Sequence, residues 1–176
     1  MQFVLGLWEV RPVKFKQFAA LPFRTREDDL EILLITTRKK RRWSVPKGWP
    51  IKRTAPHETA VIEAYEEAGV RGAIGEKQIG RFRKRRQRKK QSVLCEVQIF
   101  PLEVTHEQND WPEKRERNRM WVASKSCQTR EEVRAAAGHR GFGNQQISAL
   151  PLVLIGACEH LVGLRANRYQ PRAARV

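Results

Sequence analysis

The chain's fold is decided by one stretch, which runs from Pro46-Lys47-Gly48-Trp49 to Glu63-Ala64-Tyr65-Glu66-Glu67-Ala68-Gly69-Val70. A glycine loop opens it, and the residues after the loop suit a short helix. Successive residues on an α-helix turn by about 100°, so setting Glu63 at zero places Glu67 at about 40° and Glu66 at about 300°. The three carboxylates therefore share one side of the helix. Small and apolar residues take the opposite arc and are expected to pack on a core: Ala60, Val61, Ala64, Tyr65 and Ala68.

These three carboxylates have two interpretations. Like charges three or four residues apart destabilise a helix by roughly 0.2–0.5 kcal/mol per pair. A divalent cation would reverse that penalty, because magnesium and manganese favour carboxylate oxygens as ligands. The alternative is an acidic helix face that is simply exposed to water. The glycine loop beside the helix favours the metal site.

The spacing of these residues carries a family resemblance. It reads Gly48-x5-Thr54-x7-Ile62-Glu63-x-x-Glu66-Glu67-x-Gly69-Val70. This resembles the Nudix box, whose usual form is Gly-x5-Glu-x7-Arg-Glu-hydrophobic-x-Glu-Glu-x-Gly-hydrophobic. The chain departs from that form twice, because Thr54 stands where the box has a glutamate and Ile62 where it has an arginine.

The resemblance implies an enzyme that hydrolyses pyrophosphate bonds with Mg²⁺, or Mn²⁺, as its metal. Such metals neutralise phosphate charge and acidify the attacking water. Carried onto this chain, Glu66 and Glu67 are metal ligands, and Glu63 is a further ligand or orients the water. Gly48 lets the loop backbone approach the metal, and the backbone carbonyl of Lys47 joins the ligand set.

The two departures from the box bear on activity. In the family the arginine pairs with the glutamates and fixes their orientation, and Ile62 supplies no charge for this. We therefore expect a slackened carboxylate cluster, and an Ile62→Arg variant with improved metal affinity or rate. Thr54 removes a supporting carboxylate. Glu58 either compensates for it or is an ordinary first-turn acid favoured by the helix dipole.

Composition indicates the kind of partner. The 176 residues include 35 Lys and Arg against 19 Asp and Glu, which gives a formal net charge of +16. Such a field favours a polyanion, whether nucleic acid, a phosphate-rich small molecule or an anionic membrane. No apolar run approaches the roughly 20 residues that span a bilayer, so we expect no membrane partner.

Cysteine usage and the first residues indicate the compartment. The three cysteines are odd in number and have no metal-ligand spacing, as expected for reduced thiols in a cytoplasmic protein. The first residues lack a basic region and a long apolar core, so we expect no signal peptide. The oligomeric state is not predicted.

The order of elements predicts an α/β fold. The predicted strands cover 14–23, 30–37, 43–45, 79–85, 92–104 and 120–122. Pro56 suits the first turn of the helix and Gly69 its end. Further helices are predicted over 129–137 and 146–164. This order suits an α/β/α sandwich around a mixed sheet, the Nudix arrangement, with a domain over 12–165, an N-terminal extension over 1–11 and a basic tail over 166–176.

Basic residues outside the box resemble one branch of the family, the diphosphoinositol polyphosphate and diadenosine polyphosphate hydrolases. The matching motifs are Arg38 to Gly48, Gly80-Arg81-Phe82 and Arg117 to Trp121. In that branch basic loop residues hold the extra phosphates, and arginine suits this role because its planar group makes paired bonds to phosphate. The positions predicted to bind substrate are Lys16, Arg38, Arg88, Arg117, Arg119 and Arg140.

Several candidates keep more than one interpretation. The segment 81–90 is very basic and is a solvated hairpin tip, a polyphosphate clamp or an RNA contact, and Phe82 alone offers an aromatic ring for stacking on bases. Glu107 and Glu113 are solvated loop acids or complete the metal site. The predicted function is hydrolysis of highly phosphorylated small molecules such as diphosphoinositol or dinucleoside polyphosphates. The alternatives are a hydrolase of capped or triphosphorylated RNA, and a Nudix-fold binding module for RNA or polyphosphate.

Overall fold

The computed structural model describes residues 13–27, 29–88 and 91–123. Within these ranges the chain forms eight strands and one helix. Their bounds are β1 Val13–Arg26, β2 Asp29–Thr36, β3 Trp43–Ser44, β4 Lys47–Gly48, α1 Pro56–Ala68, β5 Val70–Ile74, β6 Gly80–Arg88, β7 Gln91–Glu107 and β8 Arg119–Ala123. The described ranges contain no helix that is long and apolar enough to cross a membrane.

The described strands form one mixed sheet. Its main order is β3-β2-β1-β7-β5, with β4 also paired to β1, β6 to β7 and β8 to β2. The central pair β1–β7 is parallel, whereas the other described pairings are antiparallel. The mixed sheet agrees with the predicted α/β class.

The sheet has a core on each of its faces, because successive side chains of a strand point to opposite sides. In β1, Ala19, Leu21 and Phe23 join one buried cluster. Phe18 and Ala20 join the other cluster, which includes residues of α1. Both faces of β2 are buried as well, as expected for a strand that lies between β3 and β1 in the sheet.

Helix α1 begins and ends where the sequence predicts. Pro56 is its first residue, and the amide of Ala55 donates to Glu58 Oε2 at 2.9 Å. Glu58 is thus a first-turn acid that caps the helix. Gly69 ends the helix in the left-handed region with φ 65°, a conformation that favours glycine. Its amide donates to the carbonyl of Tyr65 at 2.9 Å.

The apolar arc of α1 faces the sheet largely as predicted. Ala60, Ala64 and Ala68 are fully buried in the cluster on that side. Val61 is half-buried at its edge. Tyr65 is half-buried and its ring lies 4.6 Å from the guanidinium carbon of Arg71.

The predicted strands are confirmed, with two omissions. The two-residue β4 and the five-residue β5 were not predicted, since β4 is too short for a pattern and β5 carries Gly72 in its middle. The predicted helices over 129–137 and 146–164, and the predicted domain boundaries, lie outside the described residues. The described part of the chain therefore shows one helical layer of the predicted sandwich.

Candidate active site

The carboxylate of Glu67 is buried and firmly bound. Only 8% of the residue is exposed. Its Oε2 accepts a hydrogen bond of 3.0 Å from the backbone amide of Lys47, and its Oε1 accepts one from Nη2 of Arg117. Burial raises the pKa of Glu67, and the charges of Arg117 and Lys47 oppose that rise. The helix wheel places Glu67 on an open acidic face, and the structure corrects this: Glu67 points into the protein and has a cation beside it.

Arg117 is the source of that cation. It lies in the loop before β8 and is 8% exposed. Nη2 donates to Glu67, Nε donates to Glu113, and Nη1 donates to the carbonyl of Thr36 at 3.1 Å. Every nitrogen of the guanidinium is therefore bonded within the protein. These bonds give Arg117 a structural role, and its predicted role as a phosphate ligand stays a prediction.

Glu63 has a different environment, one helical turn before Glu67. Its carboxylate lies directly against Gly48, where a Cβ would be 1.5 Å from Glu63 Oε1. Gly48 has an ordinary φ, so glycine is required there for space. Burial raises the pKa of Glu63 to about 7, helped by the negative charges of Glu67, Glu66 and Glu113. Among the described residues, no side chain forms a hydrogen bond or ion pair with this carboxylate.

Glu66 completes the predicted trio and is exposed. Its backbone carbonyl accepts a hydrogen bond of 3.1 Å from the amide of Glu113. No described residue bonds to its carboxylate. The structure thus brings the three predicted glutamates to one side of α1, with Glu67 bound and with Glu63 and Glu66 available.

The donor set fits a magnesium or manganese ion in its chemistry. Glu63 and Glu66 offer carboxylate oxygens to which no described cation bonds, and the pKa of Glu63 is raised first by burial and then by the neighbouring negative charges. Because residue 48 is a glycine, the carboxylate of Glu63 can occupy the place that a side chain would otherwise take. Within the described ranges, no three acidic, histidine or cysteine side chains already stand in metal-binding geometry. The structure therefore supplies fitting donors, and a metal would have to draw them together.

Lys47 contributes through its amide and is otherwise structural. Its Nζ donates to Ser44 Oγ at 2.6 Å and to the carbonyl of Val45 at 3.0 Å. Burial lowers its pKa to about 8, and the positive charge of Lys84 adds to this. The observed link between loop and helix is the Lys47 amide on Glu67, whereas the predicted role of the Lys47 carbonyl stays a prediction.

Arg119, like Arg117, is committed within the protein. Its guanidinium donates to the carbonyls of Ala68 and Gln108, at 3.0 and 3.1 Å. It also lies 4.2 Å over the ring of Trp111. These bonds tie the end of α1 to the loop that follows β7, and the predicted phosphate role of Arg119 stays a prediction.

The other predicted substrate residues divide by exposure. Arg38 is 56% exposed and reaches Glu113 at 3.3 Å, and Lys16 is exposed on β1. Arg88 is the last residue of β6 and its side chain is not described, while Arg140 lies outside the described residues. Their predicted roles stay predictions.

The basic segment 81–90 is largely a strand, because β6 extends to Arg88 and pairs with β7. Arg81, Arg83 and Arg85 are exposed, while Phe82 packs against the core. Phe82 is half-buried there, and its ring is used in packing. This disfavours base recognition and leaves backbone or polyphosphate contacts open.

Two acidic candidates receive definite partners. Glu113 is bound by Arg117 and by Arg38. Glu107 accepts hydrogen bonds from Arg24 and from the indole of Trp121. Glu107 is thus structural. The i, i+4 spacing of Glu113 and Arg117 is the sequence signal for their pairing, but nothing in the sequence connects either residue to Glu67.

Comparisons with known proteins support the resemblance. No protein-family model matches the chain. Nudix hydrolase 12, mitochondrial, of Arabidopsis thaliana is 37% identical over 103 residues, which cover 56% of this chain and 50% of that protein. Diphosphoinositol polyphosphate phosphohydrolase 3-alpha of Mus musculus is 38% identical over 101 residues, which cover 57% of this chain and 58% of that protein. The chain thus matches little more than half the length of these relatives. The predicted resemblance to Nudix hydrolases and their diphosphoinositol polyphosphate branch is confirmed.

Solved structures confirm the fold. A binary complex of a C. elegans Ap4A hydrolase has a TM-score of 0.55 at 15% identity and covers 87% of this chain and 98% of that one. The Nudix domain of Shewanella oneidensis NrtR, complexed with ADP ribose, has a TM-score of 0.57 at 11% identity and covers 86% and 90%. At such identities the likeness shows the fold alone, and it is the Nudix fold that the sequence predicts.

Proposed function

We propose that this chain is a metal-dependent Nudix pyrophosphohydrolase that cleaves phosphoanhydride bonds in highly phosphorylated small molecules. One observation carries the proposal: α1 carries Glu63, Glu66 and Glu67 beside β4, where Glu63 lies against Gly48 and Glu67 accepts from the amide of Lys47. Diphosphoinositol polyphosphates and dinucleoside polyphosphates are the proposed substrates. The names of the diphosphoinositol polyphosphate phosphohydrolase and the Ap4A hydrolase support them.

The proposed mechanism assigns a role to each acid. Glu63 and Glu66 would hold Mg²⁺ or Mn²⁺ together with Glu67 and the Lys47 carbonyl. When bound, such a metal neutralises phosphate charge and lowers the pKa of water. Glu63 accepts a hydrogen bond from the attacking water and so orients its lone pair toward phosphorus. Glu67 stays fixed by its bonds to Arg117 and the Lys47 amide, which holds the loop against the helix.

Substrate binding is proposed for cations that remain exposed. Lys16 and Arg38 are exposed in the structure, and Arg88 and Arg140 join them in the proposal. A net charge of +16 supplies a field that attracts polyanions from a distance. A domain over 12–165 and a cytoplasmic location are part of the same proposal.

The test is an assay of a panel of phosphoanhydrides with magnesium and with manganese, on wild type and a Glu66→Gln variant. We expect turnover of at least one polyphosphorylated substrate, and a loss of about 100-fold or more in Glu66→Gln with unchanged folding. Glu76→Gln is the control, because Glu76 is exposed outside α1, and it should keep full activity.

Three outcomes would each overturn a part of the proposal. Release of product only from capped or triphosphorylated RNA would replace the substrate class. No turnover of any substrate, together with salt-sensitive binding of RNA, would show that the chain is a binding module and not an enzyme. Retained activity in Glu66→Gln would show that the metal ligands are assigned wrongly.

A further inference from the structure

The helix position that precedes Glu63 carries no charge. Ile62 stands there and is 37% exposed. Among the described residues, Arg117 is the one cationic side chain that bonds to a glutamate of the acidic trio. It also acts on Glu63 by its charge, which lowers the pKa of that group against the effect of burial. The cation that bonds to this acidic cluster, by which we mean Glu63, Glu66 and Glu67, therefore comes from a distant part of the chain.

Arg117 is itself held at three points, and this fixes where it points. The carbonyl of Thr36, at the end of β2, accepts from Nη1 at 3.1 Å, and Glu113 accepts from Nε. Because a guanidinium is planar, two fixed nitrogens determine the direction of the third. That third nitrogen, Nη2, donates to Glu67. The sheet thereby sets the orientation of a carboxylate on α1.

The loop that carries Arg117 is fastened to the same turn of the helix by its backbone. The amide of Glu113 donates to the carbonyl of Glu66 at 3.1 Å, and the amide of Arg117 donates to the carbonyl of Glu113 at 3.1 Å. Glu66 and Glu67 are therefore both tied to one short turn, 113–117. An ordinary buried ion pair would need only one of these links.

We propose that Arg117 is a positioning residue that orients Glu67 and partly neutralises the acidic cluster, in place of a cation at Ile62. This inference rests on the proposed function, since it concerns the carboxylates assigned to the metal. Arg117 does not touch the substrate. Its effect passes through Glu67. Its guanidinium, which the loop before β8 carries, supplies the positive charge that the helix lacks at Ile62.

The experiment measures Mn²⁺ affinity with the metal alone, by electron paramagnetic resonance, in wild type, Arg117→Gln and Arg119→Gln. Arg119→Gln is the matched control, because Arg119 is also tied to α1 but through the carbonyl of Ala68. Loss of a group that orients a metal ligand costs about 10–100-fold in affinity, so we expect that loss for Arg117→Gln. The control should stay within about threefold. Deleting a positive charge by itself would tighten Mn²⁺ binding, so unchanged or tighter binding overturns the proposal.

Rescue separates positioning from simple stability. In the Arg117→Gln background, Ile62→Arg places a guanidinium one turn before Glu66 on the helix. We expect it to recover about tenfold in Mn²⁺ affinity and in kcat, with KM changed less than about threefold. The unfolding midpoint should stay at the value of Arg117→Gln, since the buried bonds to Thr36 and Glu113 are still missing. Recovery of the midpoint without recovery of affinity or kcat overturns the proposal.

The two proposals fail in different ways. A wild type that binds no Mn²⁺ and hydrolyses no phosphoanhydride removes the proposed function. The positioning of Glu67 is then decided by a double-mutant cycle of Arg117→Gln and Glu67→Gln on the unfolding midpoint. Additive shifts would show that the two residues are uncoupled and would overturn the inference as well.

Discussion

Glu67 and Glu63 lie one helical turn apart on α1, and the protein holds their carboxylates by opposite means. We call the surroundings of Glu67 the Arg117 side of the acidic cluster and the surroundings of Glu63 the Gly48 side. On the Arg117 side, Glu67 receives a guanidinium and a backbone amide. On the Gly48 side, Glu63 lies in a space that exists because residue 48 has no side chain. Both groups have a raised pKa through burial, but in the part of the chain that the structure describes only Glu67 has a bonded cation.

This difference separates two tasks that a carboxylate can perform. A buried carboxylate with a cation and an amide is a structural link, because removing it leaves a charge without a partner. A carboxylate without a cation keeps its attraction for one. The Arg117 side is therefore expected to govern stability, and the Gly48 side to respond to protons and metal.

The largest effect on stability is expected from removing the charge of Glu67 on the Arg117 side. Glu67→Gln should lower the free energy of unfolding by about 3 kcal/mol, because Arg117 loses a charged partner while buried. Glu63→Gln, the matched change one turn earlier, should not lower it at pH 7, since it removes a charge that burial disfavours and to which no described residue bonds. Urea unfolding of both variants in metal-free buffer measures the contrast. Equal losses would show that the two sides do not differ as described.

An intermediate effect is expected on the Gly48 side, where Glu63 should make the free energy of unfolding depend on pH. The pKa of Glu63 is raised from 4.5 to about 7, so between these values the folded protein binds a proton that the unfolded chain has released. The free energy of unfolding should therefore fall as pH rises from about 4.5 to about 7, and change no further above that.

Subtracting the pH profile of Glu63→Gln from that of wild type isolates this contribution. Urea unfolding without metal between about pH 5 and 8 gives both profiles. Two parallel profiles would mean that Glu63 titrates at its ordinary value. A difference that increases with pH would mean that an unrecognised cation lies beside it.

The smallest effect on stability is expected from Arg38, the exposed residue at the surface of the Arg117 side. Arg38 and Arg117 both contact Glu113, but Arg38 is 56% exposed. Exposed ion pairs contribute about 0–1 kcal/mol, so Arg38→Ala should change the free energy of unfolding by less than about 1 kcal/mol. A larger loss in urea unfolding would extend the structural link to the surface.

The fold was largely readable from local pattern. The apolar run of β2, the small residues of α1 and the positions of Pro56 and Gly69 each follow from rules that act within a few residues. β5 escaped prediction because Gly72 interrupts it. Glycine is needed there because a Cβ would lie 1.8 Å from the carbonyl oxygen of Glu103 on β7, which only the folded sheet reveals.

The site was only half readable. The helical period groups the three glutamates, and this needs no partner. The burial of Glu67 depends on Arg117, fifty residues away along the chain. In sequence, Arg117 and Arg119 look no different from an exposed arginine such as Arg38. The sequence shows directly that a side chain is positively charged. Whether that side chain is buried depends on which strands and loops surround it in the fold.

The parallel pairing of β1 with β7 bears on how the protein folds. It joins Phe18 to Gln98 and Phe23 to Glu103, and β4 and α1, which carry Gly48 and the glutamates, lie between these strands along the chain. Contacts at such long range require a large loop to close first, so folding is expected in roughly the millisecond-to-second range. Arg117 comes later in the chain than both strands. Its bond to Glu67 is itself a long-range contact that relies on Thr36 of β2, so we expect the acidic cluster to gain this cation only when the sheet has formed.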